Sequence, residues 1–147
     1  MLAAPATPHA QHTMTRFDPR AIVIATLLSL ALDVVGGVLL MAGFSTGLID
    51  GMSPEQLTTA LQAVLKDTGF MLASLCLGTA TTVFGGYIAA RLARAYPYFN
   101  ALAVGLVGIA LGLLLSSDSP WWFDALAYLI TLPAAVLGAH LARRSRN

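Results

Sequence analysis

Between Ala21 and Ala42 the chain reads AIVIATLLSLALDVVGGVLLMA, and Asp33 is its single charged residue. A bilayer core about 30 Å thick is crossed by about 20 apolar residues in helical form, so this run is long enough to span. Three further runs, 69–91, 99–116 and 121–142, approach the same length and character, with Asp124 and His140 near the ends of the last one. Polar groups there fall where a helix leaves the hydrocarbon. A bilayer offers the backbone no water to bond with, so such runs fold as helices. The expected fold class is an all-α membrane protein, with four transmembrane helices in a compact bundle.

Composition agrees. Hydrophobic residues make up 57% of the 147 and charged residues 10%, against about a quarter charged in soluble domains, and mean hydropathy is +0.76. Four spans use most of the chain and leave no room for a separate soluble domain. Residues 1–20 read as a flexible cytoplasmic leader and 143–147 as a basic tail. The leader lacks the order of a cleaved signal peptide, because its apolar residues precede its basic ones and prolines interrupt it. Translation from Met14 is an alternative to Met1. His9 and His12 in the leader are solvated side chains rather than metal ligands. Cys76 excludes an internal disulfide by being alone, and it is expected to pack like other buried thiols.

Basic residues fix the expected threading. Arg16 and Arg20 precede the first span, Arg91 and Arg94 separate the second from the third, and Arg143, Arg144 and Arg146 follow the fourth. The other side receives Lys66 with Asp50, Glu55, Asp67, Asp118 and Asp124. Both termini therefore face the cytoplasm. Tyr96, Tyr98 and Phe99, and Trp121 and Trp122, stand where the third and fourth spans enter, as interfacial aromatics do.

One short amphipathic helix is expected over about 54–66, in the outer loop between the first and second spans. Ser53 is its N-cap, Pro54 its first residue and Gln56 the partner in a capping box. Leu57, Leu61, Val64 and Leu65 share one face. A helix lying on the membrane or on the end of the bundle accounts for this face, and a lid or partner-binding helix is the sharper alternative.

Inside the spans, small residues mark the faces on which helices approach. Ala101, Gly105, Gly108 and Gly112 form such a stripe on the third span, and Ser74, Gly78, Thr81 or Thr82, Gly85 and Ala89 form one on the second. On the first span Thr26, Ser29, Asp33 and Gly37 share a face. Asp33 lies about 13 residues, or roughly 19 Å, from the cytoplasmic end. The antiparallel second span reaches that depth near Thr79, with Thr82 a turn closer to the cytoplasm, and the third near Gly112. Ser29, Asp33, Thr79 and Thr82 thus form the expected intramembrane polar cluster. No Lys or Arg lies in the interior of any span. An unpaired ionised Asp would cost ~2.5–3.5 kcal/mol on insertion scales, so Asp33 either carries a proton or is solvated in a polar pocket. Pro133 should free the Leu129 carbonyl in mid-helix, with Thr131 or a neighbour satisfying it. His140 reads as an interfacial side chain.

Enzyme motifs are missing. The sequence has no HExxH and no glycine-rich phosphate loop ending in Lys. Asp124 lies too far along the membrane normal to form an acid pair with Asp33. No enzyme activity, cofactor, metal or nucleic-acid partner is expected.

The stretch FGGYIAARLAR, from Phe84 to Arg94, resembles the GGYxAAR segment of small bacterial four-helix inner-membrane proteins of uncharacterised function. The resemblance implies a bacterial inner-membrane location and no assigned activity.

Two functions follow. The preferred one is a structural or accessory bundle that self-associates or packs with a membrane partner, the lipid bilayer being its constant neighbour. The alternative is a small oligomeric transporter or channel with Asp33 as a proton or cation site. The lack of further intramembrane charge favours the first, and the hydroxyls at similar depth favour the second.

Overall fold

The computed structural model describes residues 17–46, 51–115 and 119–145. Most of the leader with Arg16, together with Asp50, Asp118, Arg146 and residue 116 at the end of the expected third span, lies outside the described residues. Five α-helices follow one another: α1 (Pro19–Phe44), α2 (Pro54–Leu65), α3 (Thr68–Leu92), α4 (Pro97–Leu115) and α5 (Trp121–Arg144). Among the described residues there are no strands. Four of the helices, α1, α3, α4 and α5, are long and apolar enough to cross a membrane.

Capping chemistry sets where these helices begin. Asp18 accepts from the Ala21 amide with Pro19 in the first turn, so α1 starts at Pro19, two residues before the expected span. Asp67 does the same for α3, accepting from the Phe70 amide at 2.9 Å. In α2 the capping box is complete. Ser53 Oγ accepts from the Gln56 amide at 3.3 Å and Gln56 Oε1 accepts from the Ser53 amide at 3.0 Å. Val64 is the buried residue of α2, Leu57 and Leu61 are half-buried, and Leu65 is exposed.

The long helices alternate in direction, and α3 is their hub: it packs most extensively on α5, then on α1 and α4, while α1 touches α4 only sparsely. The start of α1, the end of α3, the start of α4 and the end of α5 share one end of the bundle. Arg91 Nη1 there donates to Ser145 Oγ at 2.9 Å, and the Arg143 guanidinium lies 5.4 Å from the centre of the Tyr98 ring. Tyr98 Oη is 3.4 Å from His140 Nδ1 at the same end. At the other end Phe44 and Phe70 meet edge to face, with ring centres 5.5 Å apart.

The core is built of small residues. One cluster joins Ala25, Ala89 and Val104, another Ala90, Ala101, Ala139 and Ala142. Among the described residues the largest fully buried side chain is Asn100. Close backbone approach replaces interdigitated bulk, as expected for helices that pack without a hydrophobic driving force between them. The tightest crossing is between α3 and α5. A Cβ on Gly86 would lie on the Ala135 carbonyl oxygen and 2.9 Å from its Cα, and one on Gly138 would lie on the Val83 carbonyl oxygen and 2.6 Å from the Tyr87 amide nitrogen. Helix α5 continues through Pro133, and Thr131 Oγ1 donates to the Ala127 carbonyl at 2.8 Å rather than to Leu129. Cys76, expected to pack, is exposed on the outer side of α3.

Candidate functional site

Asp33 stands midway along α1 and is half-buried. Its Oδ1 accepts from Thr81 Oγ1 on α3 at 2.5 Å. The same threonine oxygen is 3.0 Å from the Gly78 carbonyl, and one hydroxyl proton cannot serve both acceptors. When Asp33 is a carboxylate, Thr81 donates to it. When Asp33 carries a proton, Asp33 donates to Thr81 and Thr81 donates to Gly78. The pair is satisfied in either state.

Ser29, one turn earlier on α1, donates to the Thr81 carbonyl at 3.3 Å. It can come this close because α3 has Gly85 there: a Cβ at that position would overlap Ser29 Oγ and lie 3.3 Å from Val104 Cγ1. Sequence, packing and hydrogen bonding are linked at this point, since a glycine admits the hydroxyl that ties α1 to the α3 backbone.

The expected cluster is brought together in part. Ser29 and Asp33 meet α3 at Thr81. Thr82 Oγ1 donates to the Gly78 carbonyl at 2.7 Å and lines a cavity with Asp33. Thr79 Oγ1 donates within its own helix, to the Leu75 carbonyl at 2.7 Å. The packing glycines also divide. Gly85 faces Ser29, Gly105 would bring a Cβ 3.2 Å from Ala135 Cβ, and Gly112 would bring one 3.2 Å from the Tyr128 ring, whereas Gly78 and Gly108 face nothing within 4 Å.

The cavity beside Asp33 measures about 230 Å³ and is lined from all four long helices. Its polar residues are Thr26, Ser29, Asp33, Thr82 and Thr131. No Lys, Arg, His, Glu or second Asp belongs to the lining. Thr26 Oγ1 is buried without a hydrogen-bond partner. Among the described residues no three His, Cys, Asp or Glu side chains are grouped to hold a metal ion.

Two polar residues that organise the fold were not singled out from the sequence. Thr81 entered only as an alternative to Thr82, and Asn100 did not enter. Asn100 Oδ1 accepts from the Asp18 amide at 2.7 Å, while Nδ2 donates to the Ala95 and Tyr96 carbonyls at 3.0 and 3.1 Å. These bonds hold the turn before α4, where Tyr96 takes φ +50. A signal was present in YPYFN, since a polar amide in the first turn after a proline is placed to bond the preceding loop. No known protein family, curated protein or solved structure matches the chain.

Proposed function

We propose that the protein is a multi-pass bundle of the bacterial inner membrane, with both termini cytoplasmic and a structural or accessory role without catalysis. In this reading it self-associates or packs with another membrane protein. The observation that carries it is the Asp33–Thr81 hydrogen bond at 2.5 Å: the one acid deep in a long helix is engaged sideways in helix packing, and no second titratable group adjoins it in the cavity. Such contacts contribute about 0.6 kcal/mol on average. Orientation is supported by the gathering of Arg20, Arg91, Arg94, Arg143 and Arg144 at one end of the bundle, with Glu55, Lys66, Asp67 and Asp124 toward the other. The bacterial assignment is supported by the GGYIAAR resemblance.

The test compares Asp33→Asn with Asp33→Leu. Asn keeps the shape and can hydrogen-bond to Thr81 without ionising. A structural role requires that Asn preserve assembly and cellular phenotype, while Leu lowers thermal stability. Loss of phenotype in a normally assembled Asn variant would sink this reading.

The cavity favours a second reading, a small oligomeric transporter or channel in which Asp33 binds a proton or cation. In proteoliposomes that reading requires pH-dependent flux that disappears in Asp33→Asn.

A further inference from the structure

The cavity between α1 and α4 has a one-sided hydrogen-bonding wall. Ser29 donates to the Thr81 carbonyl, Thr82 to the Gly78 carbonyl and Thr131 to the Ala127 carbonyl. Their single protons are engaged on backbone, so what these hydroxyls can offer a guest is lone pairs. Asp33 adds another acceptor: Oδ1 takes the Thr81 hydroxyl, and Oδ2 has no hydrogen-bond partner among the described residues. Thr26 also lines the cavity, but its Oγ1, which has no hydrogen-bond partner, is itself buried and closed to a guest. The remaining lining is hydrocarbon, chiefly Leu30, Val104, Leu111 and Leu115.

From this wall we infer that the cavity is a binding site for a small organic ammonium, a protonated amine carrying a compact apolar body. Its N–H groups donate to Asp33 Oδ2 and to the hydroxyl oxygens of Ser29, Thr82 and Thr131, and its body lies against the leucines and Val104. A neutral or anionic acceptor ligand finds no donor among Ser29, Thr82 and Thr131 and meets the carboxylate directly. A bare metal cation asks for oxygen on all sides, and most of this lining is hydrocarbon. The ammonium also neutralises Asp33 at a depth where an unpaired charge is costly. The volume, about 230 Å³, lies below the ~300–1,000 Å³ of drug-sized pockets, so the guest is small. α1 and α4, which supply most of the lining, touch each other sparsely, and the seam between them is the entry. The inference goes beyond the structural role proposed above and does not depend on transport.

The test uses the full chain in phosphatidylcholine nanodiscs with cyclohexylamine at pH 7 as the probe, read by calorimetry and by thermal shift. Saturable binding is expected, with cyclohexanol giving none. Asp33→Asn should weaken it about tenfold or more, as loss of a charge-assisted bond does. Gly108→Leu is the second variant, since Gly108 lines the cavity and a Cβ there meets no atom within 4 Å, so the leucine has the cavity to extend into; it should fold normally and block binding. Absence of saturable amine binding, equal binding of cyclohexanol, or full affinity in a folded Gly108→Leu variant each overturns the site. Full affinity in a folded Asp33→Asn variant overturns the role of the carboxylate and with it the ammonium class.

Discussion

The backbone amide of Asp18 donates to Oδ1 of Asn100 at 2.7 Å, across 82 positions of sequence. Asp18 also caps α1 through its own side chain, and Asn100 holds the turn ahead of α4. One contact thus fixes the start of two long helices against each other at the arginine-rich end. Replacing Asn100 by Ala removes an acceptor and two donations at a fully buried position. An unsatisfied buried group costs about 1–3 kcal/mol, so a loss of roughly 2 kcal/mol is expected. Thermal melts in detergent should show it, and an unchanged midpoint would remove the contact from the stability of the bundle.

The crossing of α3 and α5 predicts a sharp contrast between glycines. Gly138→Ala places a methyl on the Val83 carbonyl oxygen, and the backbones must separate, at an expected ~1–3 kcal/mol. Gly108→Ala meets nothing within 4 Å and should be neutral or stabilising by up to about 1 kcal/mol through helix propensity. Equal effects of the two substitutions would show that the crossing is looser than described.

Asp33 and Thr81 should be energetically coupled. In a double-mutant cycle of Asp33→Leu and Thr81→Val, measured by reversible unfolding in mixed micelles, the coupling expected is about 0.6 kcal/mol and not above about 1.7 kcal/mol. A coupling of zero would mean that the short contact adds nothing over the alternatives each side chain finds when separated.

Threading can be read by labelling. In a Cys76→Ala background, an impermeant maleimide added to intact cells should modify Met52→Cys and spare Ser145→Cys. The reverse pattern would invert the proposed orientation.

Helix type, number and order were legible because long apolar runs admit few alternatives, and the short helix α2 was legible from Ser53, Pro54 and Gln56. Helix starts were less so. The Asp-Pro pair before α1 is a capping signal, yet the apolar run begins only at Ala21 and drew the boundary there. Depth matching brought Asp33 to the right stretch of α3 and not to the right residue. Successive residues of a helix turn by about 100°, so Thr79 and Thr81 point to nearly opposite sides, and depth alone carries no information on rotation. The glycine stripes had the same weakness: Gly86 and Gly138 carry the closest crossing, but spacing within one helix does not say which helix it will face. Asn100 was hidden by its position beside interfacial aromatics, where a polar residue reads as surface.

The Gly86–Gly138 crossing joins helices that are not consecutive in the chain. During synthesis α3 is complete while α4 and α5 are still to come, so its smoothest face must wait for its partner. What α3 already has is α1, held through Ser29, Asp33 and Thr81. The polar contacts around Asp33 therefore belong to an early helical pair, and the glycine crossing belongs to the closing event. A lesion at Gly138 should accordingly accumulate a half-built intermediate exposed to quality-control proteolysis, whereas a lesion at Thr81 should delay the first pairing.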